Sequence, residues 1–121
     1  MTPPRPAVLA GAWYPADPDE LADLVDGWFS GGSPRTTPPA GRPLIVVAPH
    51  AGFAYSGATA GLAHSVLRAH GARRVVIMAP NHRTALDRIA LSGADSFTTP
   101  LGRVPVDRQA VAHLAASPAF V

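Results

Sequence analysis

Leu21, Leu24, Val25 and Trp28 recur at i, i+3, i+4 and i+7, so the chain predicts an amphipathic helix with one apolar stripe. Its start is written locally. Asp17 can cap, Pro18 suits the first helical position, and Glu20 stands three residues beyond the cap. Gly31-Gly32 predicts its end. Asp19, Asp23 and Asp26 give it an acidic face that reads as solvated. Residues 1–10 are Pro-rich and expected to be extended, and residues 31–43 read as a surface loop within a single domain spanning 1–121.

Two short apolar runs follow a different pattern. Leu44-Ile45-Val46-Val47-Ala48 and Val75-Val76-Ile77-Met78-Ala79 are continuous, and Pro49 and Pro80 end them. Such runs suit strands buried on both faces of a parallel sheet. Between them, Leu62, Ala63, Val66 and Leu67 fall at helical spacing over residues 58–70, with Gly71 as the stop. The expectation is a right-handed βαβ unit and an α/β fold, a mostly parallel sheet flanked by helices. The tail predicts a short strand at 89–92, a loop from Phe97 to Gly102, and a helix capped by Asp107 that runs to about Ala116, with Val111 and Leu114 inward.

The two runs carry the candidate chemistry at their ends: Ala48-Pro49-His50 and Ala79-Pro80-Asn81-His82. In open α/β sheets, ligands bind beyond the carboxyl ends of the strands. Imidazoles leaving adjacent strand ends, with strands ~4.8 Å apart, can converge on one ion or substrate. His50 and His82 are therefore candidate metal ligands. Two histidines alone are an incomplete set, and Asp87, Asp95 and Asp107 lack diagnostic spacing. Acid–base use, or two histidines simply satisfied in loops, remain open alternatives. Gly52 allows close backbone approach to a substrate. Tyr55 is a candidate catalytic proton donor or pocket wall, or else a packed aromatic. Asn81 could orient His82, bind substrate, or form a turn. Arg83 could hold a carboxylate or phosphate, or be solvated. His64, His70 and His113 fall within or at the ends of helices, where a favourable dipole contact is the simpler role.

Composition narrows the classes. At 47% hydrophobic and 15% charged, the 121 residues suit one globular core. All ten basic residues are Arg, the net charge is only +2, and the Arg residues are scattered. That argues against a nucleic-acid partner and suggests a GC-rich bacterial genome. There is no cysteine, which excludes disulfides and thiolate ligands from this chain. No apolar run reaches the ~18 residues of a membrane span, and the expected setting is cytoplasmic.

Four motifs, in order, resemble the Memo family, also called AmmeMemoRadiSam system protein B. They are Ala10-Gly11-Ala12-Trp13-Tyr14-Pro15; Ala48-Pro49-His50-Ala51-Gly52-Phe53-Ala54-Tyr55-Ser56-Gly57; Ala79-Pro80-Asn81-His82; and Thr99-Pro100-Leu101-Gly102 with Asp107 behind it. The second is the most specific, and the resemblance covers essentially the whole chain. It implies a fold similar to class III extradiol dioxygenases, with His50 and His82 at two metal-ligand positions and iron or copper as the metal. Members of that family are longer and complete the triad with a Cys. Their loop after the second strand often reads Ser-His-His, where this chain has Asn81-His82-Arg83. The resemblance thus implies a partial domain: a truncated product, a fragment, or a split subunit whose exposed sheet edge is covered by a partner subunit or by homo-oligomerisation. The expected function is a metal-dependent, dioxygenase-like redox site, incomplete within these residues. A non-catalytic module for a peptide or small anionic ligand, or an inactive fragment, is the alternative.

Overall fold

The computed structural model describes residues 2–30, 41 and 43–121. Most of the expected 31–43 loop, and the Gly31-Gly32 stop, lie outside the described residues. Helix α1 spans Pro18–Ser30, α2 Phe53–Ala69 and α3 Arg108–Ala115; strands β1 (Ser96–Thr99) and β2 (Gly102–Pro105) pair antiparallel. The chain divides into two compact units, Leu9–Val75 and Met1–Val8 with Val76–Val121.

In the first unit, α1 begins as its sequence predicts. Asp17 Oδ1 accepts from the backbone N–H groups of Asp19 and Glu20, at 3.0 and 2.9 Å. Those donors have no partner inside the helix, so the cap stabilises its first turn. Leu21, only 4% exposed, is the buried apolar side chain among the described residues. Helix α2 starts five residues before the expected position. Gly52 precedes it without a side-chain cap, which left no local start signal. Its end is the expected one. Gly71 adopts φ +62°, its N–H donates to Arg68 O, and the Ala72 N–H donates to Leu67 O. These two bonds form a Schellman closure, which favours glycine in the left-handed region.

The two helices meet through a notch. Gly57 and Gly61, one turn apart on α2, are buried under Trp28 of α1. A Cβ at Gly57 would collide with the Trp28 ring, and one at Gly61 would lie 2.7 Å from Trp28 Cβ. The Phe53 ring stacks edge-on to Trp28 at 5.1 Å and tilted to Tyr14 at 5.5 Å, the spacing at which aromatic quadrupoles attract. Arg68 lies 5.0 Å over the Phe29 ring and 3.9 Å from Asp26. Both charges are well exposed, so the ion pair adds little stability.

The expected parallel sheet is not what the described residues form. Runs 44–48 and 75–79 enter no β-ladder. Leu44 is 91% and Ile77 83% exposed, the opposite of burial on both faces. An apolar run records a preference for burial, but a strand exists only with a neighbour to share its hydrogen bonds. The described residues supply none, and their architecture is mixed α/β: three helices and a two-stranded antiparallel sheet.

That sheet lies in the second unit and replaces the loop that the sequence predicts from Phe97 to Gly102. Phe97 pairs with Val104 and Thr98 with Arg103. Thr99, Pro100, Leu101 and Gly102 make the turn, with Gly102 at φ +124°. The N-terminal arm joins β1: Arg5 N–H donates to Ser96 O and Thr98 N–H to Arg5 O, each at 2.8 Å. The Arg5 guanidinium sits 5.5 Å over the Phe97 ring, a cation–π contact. The expected 89–92 strand is reduced to a bridge between Ile89 and Phe120, with Leu91 N–H donating to Val121 O at 2.7 Å.

Asp107 caps α3 as expected, accepting from Ala110 N–H at 2.9 Å. Val111 and Leu114 are half-buried. Asp107→Ala is expected to cost about 0.5–2 kcal/mol, read as a lower thermal midpoint with loss of helical signal. An unchanged midpoint would remove the cap from the stabilising contacts.

Candidate functional site

His50 is exposed in the segment between the 44–48 run and α2. The backbone around it is held at several points. A tight turn over residues 9–14, with Gly11 at φ +81°, brings Trp13 to the start of α2, where Trp13 O accepts from Phe53 N–H at 2.9 Å. Ser56 Oγ donates to Ala51 O at 3.0 Å, and Gly52 O accepts from the N–H groups of Tyr55 and Ser56. His50 is therefore followed by a helix start braced by the Trp13-Tyr14 segment. Gly52 has φ −53°, open to any residue, and a Cβ there would meet Trp13 O at an ordinary 3.6 Å. Its backbone bonds therefore define its observed part in the site. Tyr55 lies in the first turn of α2 and is 90% exposed, so its phenol faces solvent rather than a packed core.

His82 belongs to the other unit and sits in a turn after Pro80. Asn81 organises that turn. Its Oδ1 accepts from the N–H groups of Arg83 and Thr84, at 3.1 and 3.2 Å, and its Nδ2 donates to Thr84 O at 2.6 Å. Arg83 is exposed, as a residue awaiting an anion or a solvated one would be. The structure thus groups Gly52 and Tyr55 with the His50 segment, and Asn81 and Arg83 with His82.

Two neutral imidazoles are the donor type that divalent transition metals accept. His50 and His82 fit that chemistry in kind. They do not fit it in number: among the described residues, no three His, Cys, Asp or Glu side chains gather into a group that could hold a metal ion.

The Tyr14–Phe53–Trp28 aromatic packing beside the His50 segment is not predicted by the sequence pattern. Its trace in the sequence is the Gly57/Gly61 pair, four apart on the helix that follows His50.

The family model for Memo-like protein matches residues 5–121. This chain belongs to the Memo family. Protein MEMO1 of Xenopus laevis is 37% identical over 110 residues, covering 91% of this chain and 36% of that protein. Protein MEMO1 of Homo sapiens is 36% identical over the same coverage. The memo-1 homolog of Caenorhabditis elegans is 33% identical over 116 residues, 96% of this chain and 32% of that protein. The Memo chain described here thus spans about a third of the length of the curated relatives it matches. None of its described helices is long and apolar enough to cross a membrane.

Proposed function

We propose that this Memo-family chain contributes His50 and His82 as imidazole ligands to a metal-dependent, dioxygenase-like redox site that uses non-haem iron or copper. Tyr55 is its proton donor, and Gly52 and Arg83 face a small-molecule or peptide ligand. The remaining ligand comes from outside these 121 residues, as do the neighbours that turn the 44–48 and 75–79 runs into parallel strands. A C-terminal continuation, a partner subunit or a second copy would supply both, in the cytoplasm. The observation that carries the reading is that His50 and His82 are both exposed and each follows a matching apolar-Pro segment. The family match over residues 5–121 supports it.

Metal affinity tests the proposal. Purified chain titrated with iron(II), copper(II) and zinc(II) is expected to bind, and His50→Ala and His82→Ala each to weaken binding by at least about tenfold, the lower end of losses seen even for groups that only support a ligand. A His50→Ala/His82→Ala variant that binds all three metals as the parent does would overturn the metal reading. It would leave the non-catalytic binding module, or an inactive fragment, in its place.

A further inference from the structure

We infer that the outer edge of β1 is a strand-docking surface covered by the N-terminal arm, and that β1 of a second copy takes the arm's place when the arm is released. β1 reads Ser96-Phe97-Thr98-Thr99, uncharged and rich in residues that favour strands. Its register assigns its two edges. Phe97 and Thr99 turn their backbone groups toward Val104 and Gly102 of β2, and Ser96 and Thr98 turn theirs the other way. On that side Ser96 O takes the Arg5 N–H and Thr98 N–H gives to Arg5 O, each at 2.8 Å. Left open, such an edge templates pairing with another chain. The arm closes it and resists extension in turn. Pro3, Pro4 and Pro6 have no N–H, Arg5 directs both its backbone groups at β1, and Pro6 O already accepts from Val8 N–H at 3.0 Å. The far side of the sheet ends in the same manner, because the alternation turns Arg103 and Pro105 of β2 outward, a charge and a residue without a donor. Only the β1 side is closed by a piece that can lift. Residues 2–6 are exposed, and the arm is tied by the two Arg5 bonds, the Arg5–Phe97 cation–π contact, and Thr2 N–H donating to Asp95 Oδ2 at 2.8 Å. Two copies of β1 pairing antiparallel about Phe97 would exchange backbone bonds through Ser96 and Thr98 of each, with no like charges opposed. That contact is self-complementary, as a two-fold dimer requires. The arm prevails while it is tethered, because a short tether gives it an effective concentration of roughly millimolar.

The test loosens the arm without shortening it. Thr2→Pro/Arg5→Pro removes the N–H groups that reach Asp95 and Ser96, together with the guanidinium over Phe97. Sedimentation velocity over a wide concentration range and amide hydrogen exchange at Thr98 compare this chain with the parent. At low concentration the Thr98 amide is expected to exchange faster than in the parent, as the edge opens locally. As concentration rises, the mean mass should climb toward twice the parent's value and the Thr98 amide should become protected again. Adding Thr98→Pro removes the β1 donor on that edge, a change that an outer strand tolerates, and should return the mass to the parent's. A Thr2→Pro/Arg5→Pro chain that keeps the parent's mass at every concentration overturns the inference. So does one whose Thr98 amide exchanges at the parental rate, since other contacts then hold the arm. Equal association with and without Thr98→Pro would put the contact elsewhere, on exposed runs such as 44–48 or 75–79, and overturn it as well.

Discussion

Valine at Gly57 is expected to destabilise the chain by about 3 kcal/mol, the upper end for forcing volume into a packed contact. The Trp28 ring occupies the space where any Gly57 side chain would go, and its Cβ lies against Gly61. A swing of the ring about its stem would break its edge-on contact with Phe53. The other route to relief, separation of α1 and α2, uncovers Phe53 and Trp28 together. Glycine inside a helix ordinarily costs roughly 0.5–1 kcal/mol relative to alanine, so Gly57→Ala gains propensity as it clashes. The clash should win, leaving a smaller net loss. Gly27 in α1 is the control. A Cβ there meets nothing within 4 Å, and Gly27→Ala should stabilise by about 0.5–1 kcal/mol. Urea unfolding followed by tryptophan fluorescence reads all three. Equal effects at Gly57 and Gly27 would mean that the notch is not packed.

Leu21→Ala is expected to cost about 2–3 kcal/mol, the low end for a buried leucine because a small unit can partly collapse around the space. Leu21 is 4% exposed, whereas Leu24, on the same stripe, is 36% exposed. Leu24→Ala should therefore cost less than half as much. Denaturation midpoints of the two variants decide the point. Similar losses would mean that the stripe packs evenly and Leu21 has no special place in it.

These contrasts also show what was legible in the sequence. Helix α1 could be read because its cap, its first-turn proline and its stripe lie within a dozen residues of one another, and Asp17 bonds the two amides that the pattern assigns to it. Asp107 and Gly71 were legible for the same reason. The start of α2 was not, because Gly52 has no side chain to announce a cap and the bond that braces Phe53 comes from Trp13, forty residues earlier. The hairpin at 96–105 was missed because its strands are four residues each and alternate weakly. The 44–48 and 75–79 runs show the limit most clearly. Their composition states what environment suits them, and only a neighbouring strand can provide it.

The candidate site divides in the same way. The two Pro-then-His segments were visible as repeated short patterns. Three roles were left open for Asn81, and its three local bonds favour the turn-forming one. For Tyr55 the sequence leaves open a proton donor, a pocket wall or a packed aromatic, and its 90% exposure argues against the packed one. The aromatic brace beside His50 could not be read, since it depends on α1 approaching α2 through a gap left by two absent side chains.

The shared role of His50 and His82 is tested most directly by the imidazole NMR signals of histidine-labelled chain during zinc(II) titration. The chain carries five histidines, so His64, His70 and His113 serve as internal references. The ring signals of His50 and His82 are expected to shift together, with one shared midpoint, while the other three stay in place. Movement of only one of the pair, or equal movement of all five, would contradict a common metal-binding role.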